Sequence, residues 1–287
     1  MKRKPEWLRL KVQGDHVNKE VEALISKLNL NTVCSEASCP NKMECFKAGT
    51  ATFMILGDHC TRNCQFCNVT TRKPEALDPN EPRHIAEAVK ILGLKHAVVT
   101  SVDRDDLEDE GAHHFAETCR LIKELNPGTT VELLVPDFHM RKELHDIVLA
   151  EEPDVYNHNI EVVRRLFDDI CPQSDYDMSI EVLDYAKKKG FVTKTGLMVG
   201  FGETEEDVVS TMKDLREVDC DMITIGQYLQ PSKAHIDVVE YVHPDTFAKY
   251  GQIAKDLGFK RVESSPFVRS SYRAQALTEE EKQGIAN

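Results

Sequence analysis

Three cysteines, Cys60, Cys64 and Cys67, stand in the stretch "GDHCTRNCQFCNVTTRKP" (57–74), and an aromatic residue, Phe66, directly precedes the last of them. Thiolates at this spacing on one loop can converge on a single metal centre. A structural zinc site asks for a fourth Cys or His. His59 is adjacent but too constrained to share the same face easily, and no CxxC or HxxxH completes the set. Three thiolates fit a four-iron four-sulfur cluster in which one iron lacks a protein ligand, and an open iron can bind a small molecule. The alternatives are a zinc site with a remote fourth ligand, or incidental cysteines.

A second triplet lies just upstream. In "CSEASCPNKMEC", Cys34, Cys39 and Cys45 are again three thiols with no obvious fourth ligand, and by spacing alone they read equally as a loop with a zinc or a redox pair. Six of the nine cysteines fall between Cys34 and Cys67. The count is odd and no secretory signal is evident, which argues against a disulfide framework and for metal or redox chemistry. Cys119, Cys171 and Cys220 lie away from both triplets and read as packing residues.

The elements that must position these thiols follow from periodicity. Strand-type runs occur at 52–56, 96–100, 130–135, 154–160, 193–199 and 221–226, separated by helix-compatible stretches at 83–93, 111–125, 176–190, 205–218 and 243–258. Upstream, residues 16–29 place Val17, Val21, Leu24, Ile25 and Leu28 on one helical face. Strand–helix alternation implies parallel βαβ units, hence a complete or partial β/α barrel, with a doubly wound open sheet as the alternative. Cys60 follows the first strand, at the carboxyl end where such folds build their active sites.

Composition narrows the function classes. A chain of 287 residues, 41% hydrophobic and 30% charged, reads as globular, long enough for one large domain or two smaller ones. Its net charge of -13 argues against a nucleic-acid partner. No apolar run approaches the roughly 18 residues of a membrane span. The start "MKRKPEWLRLKV" is basic without the apolar stretch of a secretory signal, so a cytoplasmic protein is expected.

CxxxCxxC with an aromatic before the last Cys, just after the first strand, resembles the radical S-adenosylmethionine (radical SAM) enzymes. The resemblance implies that SAM chelates the open iron and is cleaved by one electron to a 5′-deoxyadenosyl radical. Together with the upstream triplet and "RSSYRA" at 269–274, the pattern resembles the lipoyl synthase family. "TSVDRDDLEDEGAHHF", "YNHNIEVV", "TGLMVGFGETEEDV" and "TIGQYLQPS" extend that likeness over about residues 30 to 275. One departure is the pair Glu110–Gly111, where the family commonly has two glycines.

Membership would imply a sulfurtransferase with an α/β fold: a partial (β/α)6 TIM-type barrel over residues 51–262, an N-terminal extension 1–50 carrying the auxiliary-cluster cysteines, and a C-terminal segment 263–287 with RSSY. It implies two 4Fe-4S clusters, one on Cys60, Cys64 and Cys67, the other on Cys34, Cys39, Cys45 and a serine. The carry-over points to Ser270, with Ser271 left open. Two SAM molecules per lipoyl group would serve the insertion of sulfur at C6 and C8 of a protein-bound octanoyl-lysine chain. The substrate would be a lipoyl carrier domain or the glycine-cleavage H protein, and the electron donor of ferredoxin or flavodoxin type. Phe66 would flank cluster and adenine, or be an ordinary loop aromatic on the core. Arg104 would hold polar groups of SAM or substrate, or belong to a solvated charge run with Asp105 and Asp106. Asn159 ends the fourth strand on the active face, and Glu203, in "VGFGET", lies on a strand-end turn near SAM. The alternatives are a biotin synthase-like sulfur inserter, a two-cluster electron carrier and a zinc-stabilised binding module.

Overall fold

The computed structural model describes residues 3–8, 24, 25, 27, 28, 30–32, 50–272 and 274. The triplet Cys34, Cys39 and Cys45 lies outside the described residues, as does most of the 16–29 segment. Within that segment Leu24 and Ile25 are helical, and the Leu28 N–H donates to the Leu24 carbonyl at 3.0 Å. The described residues divide into two compact units.

Of the described residues, the first unit contains 24, 25, 27, 28, 30–32, 50–61, 69–155 and 274. Its strands are β1 (Asn31–Thr32), β2 (Thr50–Ile55), β3 (His59–Cys60), β4 (Thr70–Thr71), β5 (His96–Ser101) and β6 (Thr130–Leu134). Strand β1 runs antiparallel to β2, and β2, β5 and β6 are parallel neighbours, with Thr50 opposite His96 and His96 opposite Thr130. Every residue of β2 is buried, as parallel strands covered on both faces must be. Helices α1 (Glu81–Leu92), α2 (Ala112–Leu125) and α3 (Lys142–Leu149) supply the cover. Ile85, Val89, Phe115 and Ile122 on α1 and α2 are fully buried, each contributing about 1.5–3 kcal/mol. Helix α1 starts with Pro82 in its first turn and stops at Gly93, whose φ of 60° closes the last carbonyls.

The second unit contains 3–8, 62–68 and 156–272. The division falls within β7 (Val155–Asn157), and α4 (Phe167–Ile170), α5 (Tyr176–Lys188), β8 (Thr193–Val199), α6 (Glu205–Glu217), β9 (Met222–Gln227), α7 (Pro244–Asp256) and β10 (Arg261–Ser264) follow. The order β7-β8-β9-β10 is parallel throughout. Helix α6 begins with a reciprocal cap between Thr204 and Asp207, and α5 with Asp175 accepting from the Met178 N–H. A core of Leu197, Val199, Met212, Ile223, Ile225, Phe247 and their neighbours fills the space between helices and strands.

Five of the six expected strands match to within two residues. The run at 154–160 is cut to Val155–Asn157: beyond it the chain stays beside β8 but the regular ladder is interrupted, the Ile160 N–H turning to Thr195 Oγ1 before Glu161 rejoins β8 in an isolated bridge to Leu197. Strand β10 and helix α3 carried too short a pattern to register as elements. Among the described residues no helix is long and apolar enough to cross a membrane.

Candidate metal centre

Cys60 is placed by the first unit. Leu56 (φ 70°) and Gly57 (φ 95°) turn the chain out of β2, and the Arg72 N–H donates to the Cys60 carbonyl at 3.2 Å. The loop after β5 clamps the same point. Asp103 donates its N–H to Cys60 Sγ at 3.3 Å, and the Cys60 thiol donates to Asp103 Oδ2 at 3.4 Å. Thr61 bonds the Asp103 carbonyl through both its N–H, at 3.1 Å, and its Oγ1, at 3.0 Å. Arg104 is buried: its Nε and Nη2 reach the Asp106 carboxylate at 2.8 and 3.0 Å, and its Nη1 donates to the Leu56 carbonyl at 3.1 Å. The Arg104 hydrogen bonds hold the Asp106 carboxyl below the usual range against the opposing effect of burial. Arg104 and Asp106 are thus a staple within the loop rather than a solvated charge run.

The departure at Glu110–Gly111 has a local account. Both residues have positive φ, 48° and 88°, a conformation glycine adopts freely and glutamate at a cost. The buried Glu110 carboxylate faces His139 Nδ1 at 3.1 Å and Arg141 Nη1 at 3.7 Å.

Cys64 and Cys67 belong to the second unit, where residues 62–68 are tied down on two sides. The Gln65 N–H donates to the Ile170 carbonyl at 2.9 Å, Arg62 Nη1 to Ser174 Oγ at 3.2 Å, and the Asn63 N–H to Gln173 Oε1 at 2.5 Å. From the loop after β9, His235 Nε2 donates to the Cys67 carbonyl at 2.9 Å, and the Ile236 N–H donates to the Gln65 carbonyl at 3.2 Å. Accepting from Ser232 Oγ at Nδ1, 2.8 Å away, His235 is held in its Nε2–H tautomer. The Cys67 N–H closes a turn onto the Cys64 carbonyl at 3.0 Å. Both thiols are half-buried, and Phe66 packs half-buried against the apolar core of the unit.

Cys171 differs from its reading as a packing residue away from the triplets. Its buried thiol is hydrogen-bonded with that of Cys64, and this contact, with burial, pushes it well above the ordinary thiol range. Cys119 and Cys220 do lie buried, each thiol pushed up to about 12 by desolvation.

At the carboxyl ends of β7 and β8, Glu203 accepts from the N–H groups of Gly200 at 2.6 Å and Phe201 at 2.9 Å. Burial raises its carboxyl despite those bonds. Gly200 has a φ of 114°, and a Cβ there would strike the Gln227 side chain. Asn159 Nδ2 donates to Glu161 Oε1 at 3.1 Å, and Asn159 Oδ1 accepts from the Ser270 hydroxyl at 2.9 Å. Asn157 Nδ2 donates to the same hydroxyl oxygen at 3.0 Å. Among the described residues, Ser271 makes no such side-chain contact.

Cys60 in the first unit, with a backbone N–H directed at its sulfur, and Cys64 with Cys67 in the second, on a segment tied down by its neighbours, are soft thiols of the kind an iron–sulfur cluster takes. The described cysteines form no disulfide that would remove them from it. Sequence reasoning missed Asp103, His235, Cys171 and Ser174. Their one signal was position, on segments that follow strands or end a short helix.

The Radical SAM superfamily model matches residues 54–215. A lipoyl synthase of Caldicellulosiruptor saccharolyticus is 53% identical over 278 residues, covering 96% of this chain and 98% of its own. The lipoyl synthase of Caldanaerobacter subterraneus subsp. tengcongensis is 54% identical over 274 residues, covering 95% and 96%. Among solved structures, Streptococcus suis SuiB bound to its precursor peptide SuiA aligns with a TM-score of 0.60 at 11% identity, over 85% of this chain and 52% of that one. At that identity it speaks for the fold alone: an open, mostly parallel barrel-type α/β architecture.

Proposed function

The chain belongs to the lipoyl synthase family of radical SAM enzymes, and from that premise we propose how its own residues serve the reaction. The family activity is sulfurtransfer into a protein-bound octanoyl chain, with a 4Fe-4S cluster and SAM as cofactors and an octanoylated carrier protein as substrate. When bound, these groups supply radical hydrogen abstraction from unactivated carbon and the sulfur that replaces the hydrogen.

In our reading Cys60, Cys64 and Cys67 hold the cluster that SAM completes, and Cys34, Cys39, Cys45 and Ser270 hold a second, sulfur-donating cluster. Two SAM molecules are consumed per lipoyl group, and a ferredoxin- or flavodoxin-type protein delivers the electrons. The extents 1–50, 51–262 and 263–287 divide the work between auxiliary-cluster extension, barrel and RSSY segment. Asp103 directs an N–H at the Cys60 sulfur, which tunes a thiolate ligand as outer-shell hydrogen bonds do. His235 and Ile170 fix the backbone between Cys64 and Cys67. Glu203 shapes the strand-end turn on which we place SAM, and Phe66 screens the loop from water. A reducing compartment, as in the cytoplasm, suits thiols that must stay available.

The observation that carries this reading is the CxxxCxxC loop on a chain about half identical, over nearly its full length, to lipoyl synthases. Incubating the reconstituted protein with SAM, reductant and an octanoyl-lysine peptide tests it. Mass spectrometry should show a dihydrolipoyl product, and the protein should bind about eight iron. A brown protein that cleaves SAM without adding sulfur to the peptide would contradict it.

A further inference from the structure

We propose that Asn157 and Asn159 are positioning residues for Ser270, orienting its hydroxyl so that one oxygen lone pair faces the iron it ligates. The inference rests on the reading of Ser270 as the oxygen ligand of the second cluster.

A hydroxyl has one donor and two acceptor sites. Ser270 spends its donor on Asn159 Oδ1 at 2.9 Å, and one acceptor site takes the Asn157 N–H at 3.0 Å. One lone pair is left, with its direction set by the other two bonds. The two asparagines can act together because, two residues apart at and just past the end of β7, both reach the one Ser270 oxygen. Asn157 is the last residue of β7 and fully buried.

Beyond it the chain stays against β8. The His158 N–H donates to the Lys194 carbonyl at 3.0 Å, the Ile160 N–H to Thr195 Oγ1 at 2.9 Å, and the Glu161 N–H to the Gly196 carbonyl at 3.0 Å. The orientation of the Asn159 amide is determined from its other end, because its Nδ2 donates to Glu161 Oε1 at 3.1 Å and so turns Oδ1 toward Ser270. The space for that amide exists because residue 196 is glycine: a Cβ there would lie 2.7 Å from Asn159 Oδ1. On the other side, the Tyr272 N–H donates to the Arg269 carbonyl at 2.9 Å, making a tight turn that presents Ser270.

The test isolates the second cluster in the full chain by replacing Cys60, Cys64 and Cys67 with Ala, reconstituting with 57Fe and recording Mössbauer spectra. Ser270→Ala should shift the doublet of one iron, about a quarter of the absorption of a four-iron cluster. Asn157→Ala and Asn159→Ala should shift that same doublet with Ser270 still present. The double variant Asn159→Asp with Glu161→Gln reverses the outer hydrogen bond yet keeps an acceptor toward Ser270, and should restore it. Asn157→Asp replaces the donor with a second acceptor and should not. If Ser270→Ala leaves the spectrum unchanged, the ligand reading fails and the inference with it. If Ser270→Ala shifts the doublet while the asparagine variants do not, or if both aspartate variants behave alike, the ligand reading stands and the positioning role is overturned. The aspartate pair keeps the test decisive should either alanine variant fail to fold.

Discussion

The two ends of the same strands in the second unit are built from different polar chemistry. At the amino ends, Asp221, 1% exposed, accepts from Lys187 Nζ at 2.7 Å on each oxygen and from the Thr193 N–H at 2.9 Å, and Lys260 Nζ lies 2.9 Å away. Charge meets opposite charge, and this ties the entry of β8 to that of β9. At the carboxyl ends the polar groups are asparagines, a serine and a carboxylate bonded to backbone N–H groups. There the bonds set direction rather than neutralise charge. The difference teaches that burial of a polar group has two uses here. One end closes a charge among opposite charges, and the other fixes the orientation of neutral amides, a hydroxyl and a carboxylate through directed hydrogen bonds.

That comparison breaks most sharply at the cysteine loop. Replacing Cys60, Cys64 or Cys67 singly with Ala should reduce lipoyl product to background in the peptide assay, while thermal unfolding of the protein changes little. Asp221→Ala should do the reverse. It leaves the Thr193 N–H without its acceptor and removes the partner of Lys187 and of the half-exposed Lys260, so urea unfolding should show a loss of about 1–3 kcal/mol, with the activity per folded molecule retained. An Asp221 variant that keeps its stability and loses activity would erase the distinction between the two ends.

The acid limb sharpens the same contrast. Burial alone raises the Asp221 carboxyl, but Lys187, the Thr193 N–H and Lys260 outweigh it and hold it below the usual aspartate range. Because the folded value lies below the unfolded one of about 3.9, the associated stability is fully present above that pH. It is lost as pH falls through the folded value. The stability gap between the wild-type chain and Asp221→Asn should therefore be constant near neutrality and shrink as pH is lowered below about 4, measured by urea titration at each pH.

Gly196→Ala brings a methyl against Asn159 and should cost about 1–3 kcal/mol, with a larger fractional loss of sulfur insertion than of SAM cleavage. The smallest effect is in thiol reactivity. In protein without clusters, peptide mapping after brief alkylation should find the half-buried Cys64 and Cys67 modified at least about tenfold faster than Cys119, Cys171 and Cys220. Rapid labelling of Cys171 would contradict its burial against Cys64.

Much of this molecule was readable before any coordinates. Strands at 193–199 and 221–226 announced themselves through short β-type runs, and helices through their 3.6-residue stripes, because burial on a sheet or helix face imposes local periodicity. The cysteine spacings pointed to a metal centre, and together with RSSY far downstream they carried the resemblance that named the family, because ligand type and short-range spacing are properties of the chain itself. What spacing could not carry was partnership between distant residues. That Cys171 meets Cys64, that His235 holds the Cys67 carbonyl, and that Asn157 and Asn159 grip Ser270 from more than a hundred positions away depend on which strand-end loops the fold brings together. Even Arg104, plain as a charged residue in sequence, became a buried staple only when β5 delivered it to the Leu56 carbonyl. Sequence by itself determined the candidate thiols and the rhythm of elements, since both are local. Tertiary structure alone decided which polar groups meet those thiols and Ser270, because a hydrogen bond demands approach within about 3 Å, and only the folded chain supplies it.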